Sequence, residues 1–179
     1  MPFALDLSNA VILDTETTGV GDKDEIIELA ILRADNGETL INQRFKPRRK
    51  VSNEAFAIHG IDNQALLQQP SFSSCFQTIM AAVAGKIIVG WRIHFDIMML
   101  LQTMRLYHTP RKLQNATVYD VKGAYLKQLD KHTFNDHLNQ NGYIHLATAC
   151  EIENIHIKDL KPHQAISDCQ MIYRLIHNL

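Results

Sequence analysis

The sequence predicts an α/β fold, a mixed five-stranded sheet flanked by helices, and three observations carry that prediction. The first fifty residues hold apolar, β-branched segments at 9–15, 25–33 and 38–45, parted by the turn signals Gly19-Val20-Gly21-Asp22 and Asp35-Asn36-Gly37. Strands joined by such short turns run antiparallel. The rest of the chain alternates short apolar runs with helical-period segments, the mark of a sheet covered by helices.

Each later element has its own warrant. Ser71 is an N-cap for a helix over 72–84, with Phe72, Phe76, Ile79 and Val83 on one stripe. Residues 86–89 form a short apolar strand closed by Gly90, and a helix over 95–106 stops before Pro110. A fifth strand falls at 116–119. Helices follow at 121–129 and 144–151, and a last one runs from about His163 to the end, entered through Pro162. No repeat or Gly/Ser-rich linker interrupts the chain, so one domain over 1–179 is expected.

Composition removes several classes of function. At 179 residues, 46% hydrophobic and 21% charged, the chain is ordinary globular material with enough length for a full core. It has no apolar run long enough for a bilayer and no secretory leader, which leads us to expect a cytoplasmic protein with no membrane contact. Cys75, Cys150 and Cys169 are odd in number and widely spaced, and read as reduced, buried thiols. Nine histidines show no zinc-type spacing. A net charge of −1 argues against a duplex-coating protein but not against an enzyme that grips a few phosphates through metals. The basic run Lys46-Pro47-Arg48-Arg49-Lys50 is either a solvated loop or a phosphate contact.

The most informative segment is Val11-Ile12-Leu13-Asp14-Thr15-Glu16-Thr17-Thr18-Gly19. In a strand, residues i and i+2 share a face, so Asp14 and Glu16 converge. Two close carboxylates repel unless a cation sits between them, and Mg²⁺ or Mn²⁺ prefers such oxygen ligands. The alternative is a solvated strand end. Asp96, near a predicted helix start, is either a further ligand or a residue that offsets the helix dipole. Asp168 lies beside the apolar stripe Ile166, Cys169, Ile172, Tyr173 and Ile176, where a carboxylate needs a partner; a metal shared with Asp14 and Glu16 would supply one. His163 has the pKa range of a general base near neutral pH.

In order along the chain, Asp-x-Glu, Phe95-Asp96 and His163-x-x-x-x-Asp168 resemble the DEDDh 3′→5′ exonucleases, the DnaQ-like branch of the ribonuclease H-like superfamily. The likeness extends to Ile26-Ile27-Glu28-Leu29-Ala30. It also takes in Glu54-Ala55-Phe56-Ala57-Ile58-His59-Gly60-Ile61, which is similar to a segment of the proofreading epsilon subunit of bacterial DNA polymerase III. One departure stands out: relatives carry His-Asn where this chain has Trp91-Arg92.

The resemblance implies a ribonuclease H-like fold and two-metal phosphodiester hydrolysis. Asp14, Glu16, Asp96 and Asp168 would hold two divalent cations, Mg²⁺ or Mn²⁺, and His163 would take a proton from water. The substrate would be a single-stranded DNA 3′ end and the product a nucleoside 5′-monophosphate. Thr17, Thr18, Val20 and His59 are the implied substrate contacts, the threonines through their backbone amides, while Arg92 is either a phosphate contact or a tolerated surface change. Alternatives are an exoribonuclease that trims RNA 3′ ends, and a non-catalytic module that binds nucleic acid or a polymerase. Because the chain stops directly after the last predicted helix, a free-standing enzyme is expected over a polymerase-bound subunit.

Overall fold

The computed structural model describes residues 5–138 and 142–179. After a 3-10 turn at Leu7–Asn9, strands β1 (Ala10–Thr17), β2 (Ile26–Arg33) and β3 (Thr39–Arg44) form an antiparallel meander. Helices α1 (Asn53–His59), α2 (Asn63–Leu66) and α3 (Phe72–Val83) lead to β4 (Ile87–Gly90), helix α4 (His94–Leu106) and β5 (Thr117–Asp120). Four more helices complete the described chain: α5 (Val121–Leu126), α6 (Lys131–Asp136), α7 (Leu146–Ile152) and α8 (Ala165–Asn178). Sheet order is β3-β2-β1-β4-β5, with β4 parallel to both β1 and β5.

Both faces of the sheet are covered, which explains why β1 and β2 read as continuous apolar runs rather than alternating ones. Ala10 and Ile12 of β1, with Ala30 and Leu32 of β2, pack into the cluster that contains α7 and α8. Val11, Leu13, Leu29 and Ile31 pack on the other face against α3 and α4. A smaller cluster of Ile27, Val51, Ala55, Ile61 and Leu66 lies beneath α1 and α2. Cys150 and Cys169 are buried free thiols; Cys75 is only partly covered.

Departures from the predicted elements have local causes. Helices α1 and α2 are short, and each is started by a side-chain cap: Ser52 accepts from the Ala55 amide and Asp62 from the Ala65 amide. The helix expected over 121–129 ends at Leu126, and Asp130 caps a separate α6 through the His132 and Thr133 amides. The last helix starts at Ala165 and not at His163, because His163 has φ 60°. A non-glycine residue in that left-handed region ends a helix rather than opening one. No helix among the described residues is long and apolar enough to cross a membrane.

Gly90 closes β4 where the backbone of β1 approaches. A Cβ there would stand 2.6 Å from Ile93 Cδ1 and 2.9 Å from the Leu13 carbonyl oxygen. Gly90→Ala should therefore cost about 1–3 kcal/mol through overpacking, seen as a lower denaturant midpoint at unchanged m-value.

Candidate active site

Strand alternation decides which residues reach the site. Ala10, Ile12, Asp14 and Glu16 share the face covered by α8, while Val11, Leu13 and Thr15 face α4. Asp168, in the first turn of α8, meets Asp14 and Glu16 from above. Asp96 arrives from the first turn of α4 and is tied to the other face of β1. The Thr15 amide and hydroxyl both donate to Asp96 Oδ1, at 3.0 and 2.7 Å. Asp96 is buried in the first turn of α4, where a carboxylate also meets the positive end of the helix dipole.

The four carboxylates and His163 line one cleft of about 310 Å³, with Arg92 and Val20 at its rim. Ligand atoms of Glu16, His163 and Asp168 all lie within 4.8 Å of one another. Burial, then the neighbouring charges of Asp96, Asp168 and Glu16, holds the Asp14 carboxyl well above the usual carboxylate range. Burial likewise raises Glu16 to about 8, with Asp168 and Glu28 adding repulsion. Asp96 rises to about 7 by burial, partly offset by the Thr15 bonds. Asp168 rises to about 7 by burial, opposed by the His163 amide, which donates to its Oδ1 at 3.3 Å. The His163 imidazole is held below its ordinary value by burial and by His145, which favours the neutral ring. Four crowded, desolvated carboxylates of this kind fit a divalent-cation site chemically.

Glu28 is the site residue whose role was not visible in the sequence. It lies opposite Glu16 in the β1–β2 register and is buried. Its Oε1 accepts from Arg44 Nε at 2.7 Å, and its Oε2 accepts from the Ala165 amide at 2.9 Å. Helix α8 thus lacks a cap from its own Gln164 and takes one from β2, which fixes the turn that carries Asp168. Its signals were a lone acidic residue inside the apolar run Ile26–Arg33 and its place in the family-like segment Ile26-Ile27-Glu28-Leu29-Ala30. Glu28→Ala should cost about 2–4 kcal/mol, because two charge-assisted bonds in a buried setting outweigh the relief of carboxylate repulsion. Glu28→Gln, which can still accept from Ala165, should cost less in the same thermal melt.

The implied substrate contacts divide. Val20 is 80% exposed at the tip of a stitched loop, where Asp24 accepts from the Thr18 hydroxyl and the Gly21 amide. Gln102 of α4 donates to the Gly21 and Asp24 carbonyls, bracing that loop. Thr17 lines a second cleft, of about 700 Å³, with Val20, Ile58, His59 and Phe95. Thr18 lines neither of these clefts. It is fully buried, and its amide is spent on the Glu25 carbonyl at 2.9 Å. His59 is buried with both ring nitrogens engaged, Nδ1 accepting from the Ile61 amide and Nε2 donating to the Thr17 carbonyl. In the basic run, the Arg48 and Arg49 amides bond to Glu25 and the Arg48 guanidinium bonds to the Leu106 carbonyl, so the loop is anchored.

The fold is that of the ribonuclease H-like exonucleases. The model of the RNase T family, described as exonuclease, matches residues 11–176, and this chain belongs to that family. It is a DEDD-type 3′→5′ exonuclease. An uncharacterized exonuclease, CP81, of Escherichia phage 186 is 26% identical over 174 residues, covering 94% of this chain and 87% of that protein. The epsilon subunit of Escherichia coli DNA polymerase III is 32% identical over 100 residues, 51% of this chain and 41% of the subunit. Among solved structures, E. coli exonuclease I in complex with a dA16 oligonucleotide superposes with TM-score 0.72 at 16% identity, covering 93% of this chain and 40% of that one. The chain therefore spans less than half the length of the epsilon subunit and of exonuclease I.

Proposed function

We propose that this protein removes nucleotides from single-stranded DNA 3′ ends as nucleoside 5′-monophosphates. In this reading Asp14, Glu16, Asp96 and Asp168 hold two divalent cations, Mg²⁺ or Mn²⁺, and His163 is the general base. The observation that carries it is the convergence of four carboxylates, Glu16 and Asp96 buried and Asp14 and Asp168 half-buried, from β1, α4 and α8 on one cleft, with His163 beside them. Their oxygen-rich donor set suits Mg²⁺ or Mn²⁺ better than a soft metal. When bound, the ions supply Lewis acidity and offset the charge that builds on the phosphate.

The protein's own groups do the rest. His163 has a left-handed backbone and can accept the proton of the attacking water at a ring nitrogen. The apolar side chains of Val20, Ile58 and Phe95 form the walls for a terminal base that has left its stack. His59 serves as a brace between α1 and the end of β1, holding Thr17 against that wall. The preference for DNA rests on the likeness to a DNA polymerase subunit and to an exonuclease that holds a deoxyoligonucleotide. Removal of 3′-terminal nucleotides is chemistry that DNA repair and proofreading use, and a polymerase partner is supported by the epsilon likeness alone.

The test uses matched 5′-labelled single-stranded DNA and RNA with Mg²⁺, Mn²⁺ or chelator. A metal-dependent ladder of shortened DNA supports the reading. A ladder on RNA alone would keep the chemistry and replace the substrate, and no cleavage under any metal would overturn it.

A further inference from the structure

The carboxyl ends of the parallel strands β4 and β5 place two cations side by side. Arg92 follows β4 in a left-handed conformation, φ 60°, and its amide donates to Asp120 Oδ1 at 2.9 Å. Asp120 ends β5, pairs in register with Gly90, and caps α5 by accepting from the Gly123 amide at 3.3 Å through Oδ2. Lys122 is the second residue of α5. One carboxylate therefore spends its two oxygens on backbone amides that fix both cation-bearing turns. Neither Arg92 nor Lys122 makes an ion pair among the described residues. The Lys122 ammonium is pushed down by burial and by the charge of Arg92, with Asp120 opposing. The arrangement costs energy as it stands, and an anion between the two would remove the cost.

Both cations face a cleft of about 430 Å³ that ends at Asp14, His163 and Asp168. Lys122 Nζ also lies 5.1 Å from the centre of the Tyr143 ring, which is 55% exposed at the same cleft. This cleft and the one walled by Val20 and Ile58 share only Arg92 and His163, so the two open on different sides of the acidic centre. The Val20–Ile58 side is apolar with acidic Asp24 and Glu54, and suits an uncharged base. The Arg92–Lys122 side suits phosphate.

We infer that Arg92 and Lys122 form a subsite for the phosphate one position upstream of the scissile bond, with Tyr143 against the penultimate nucleoside. The inference rests on the exonuclease reading of the acidic centre and adds where the strand leaves it. It also gives Arg92, which stands at the usual position of a neutral amide, a charge-based role shared with a second helix.

The dinucleotides TpT and pTpT isolate this contact, since they differ only by the phosphate that would reach the pair. The wild-type protein should show about a tenfold higher kcat/KM for pTpT than for TpT, the size of one charged hydrogen-bond contact. Lys122→Gln should reduce that preference to about threefold or less, chiefly by raising KM for pTpT, and Lys122→Arg should restore it. Equal use of the two dinucleotides by the wild-type protein, or an equal loss on both in Lys122→Gln, would overturn the subsite. Calorimetric binding of the same pair in chelator decides the subsite even without turnover, with tighter binding of pTpT expected and equal affinities overturning it. Absence of hydrolysis with a retained binding preference would instead place the failure in the exonuclease reading.

Discussion

Replacing Asp14 by Asn should lower 3′-end hydrolysis by at least about a thousandfold while leaving the fold intact. Asp14 stands at the meeting point of the other carboxylates, and the charges of Asp96, Asp168 and Glu16 all act on it. Its place on β1 is held by register with Ala30 of β2. Asn keeps the volume and loses the charge, so cation binding fails without a cavity. The same change removes one member of a mutually repelling group, and the variant should melt at a higher temperature than the wild-type protein in chelator. Steady-state rates on a labelled strand, together with thermal melts, check both halves. Retained activity would remove Asp14 from the chemistry, and a lower melting temperature would mean that its carboxyl is satisfied by something other than a metal.

The metal-free protein should lose stability as pH rises from about 6.5 to about 8, and Mg²⁺ or Mn²⁺ should reverse the loss. Glu16 is raised to about 8 from 4.5, and Asp96 and Asp168 to about 7 from 3.8. For groups raised in this way the unfolded chain ionises first, so it binds fewer protons than the native state between the two values. Stability then falls with pH through that window and levels off above the folded value. His59 and His163 act in the opposite sense, since burial lowers both below 6.5 and their contribution is gained as pH rises toward that value. Above about 6.5 the histidine contribution fades as the unfolded imidazoles lose their last protons, while the carboxylates keep moving, which makes the upper part of that interval diagnostic. Cations compete with protons for these oxygens, so metal-induced stabilisation should grow over the same interval. Melts in chelator and in metal at half-unit steps measure it. A metal-free melting temperature flat or rising across this range, indifferent to metal, would mean that the acidic centre does not bind cations.

Long elements with a continuous apolar run or one strong helical period were legible from the residues. The segments at 9–15 and 25–33, the Ser71-capped helix and the helix ending before Pro110 all appear within a residue or two of their expected bounds. The short helices α1 and α2 were not, although they carried their caps in plain view at Ser52 and Asp62. Seven or four residues are too few to display a helical period, and tertiary packing over Ile27 is what makes them helical. His163 was read as helical because Pro162 looked like a first-turn proline; its left-handed backbone arises from the loop that feeds α8.

The sequence alone determined the class of fold, the acidic pair on β1 and the order of the remaining carboxylates. Those follow from local quantities: a period of two on a strand, a charge inside an apolar run, the spacing of a motif. Only the tertiary structure decided that Thr15 holds Asp96 across the sheet, that Glu28 caps the helix of Asp168, and that Asp120 sets Arg92 beside Lys122. Each of these contacts joins residues from 28 to 137 positions apart in the chain. A buried carboxylate reads the same in sequence whether it binds a metal, caps a distant helix or braces a turn. The difference lies in which donors the fold brings to its oxygens.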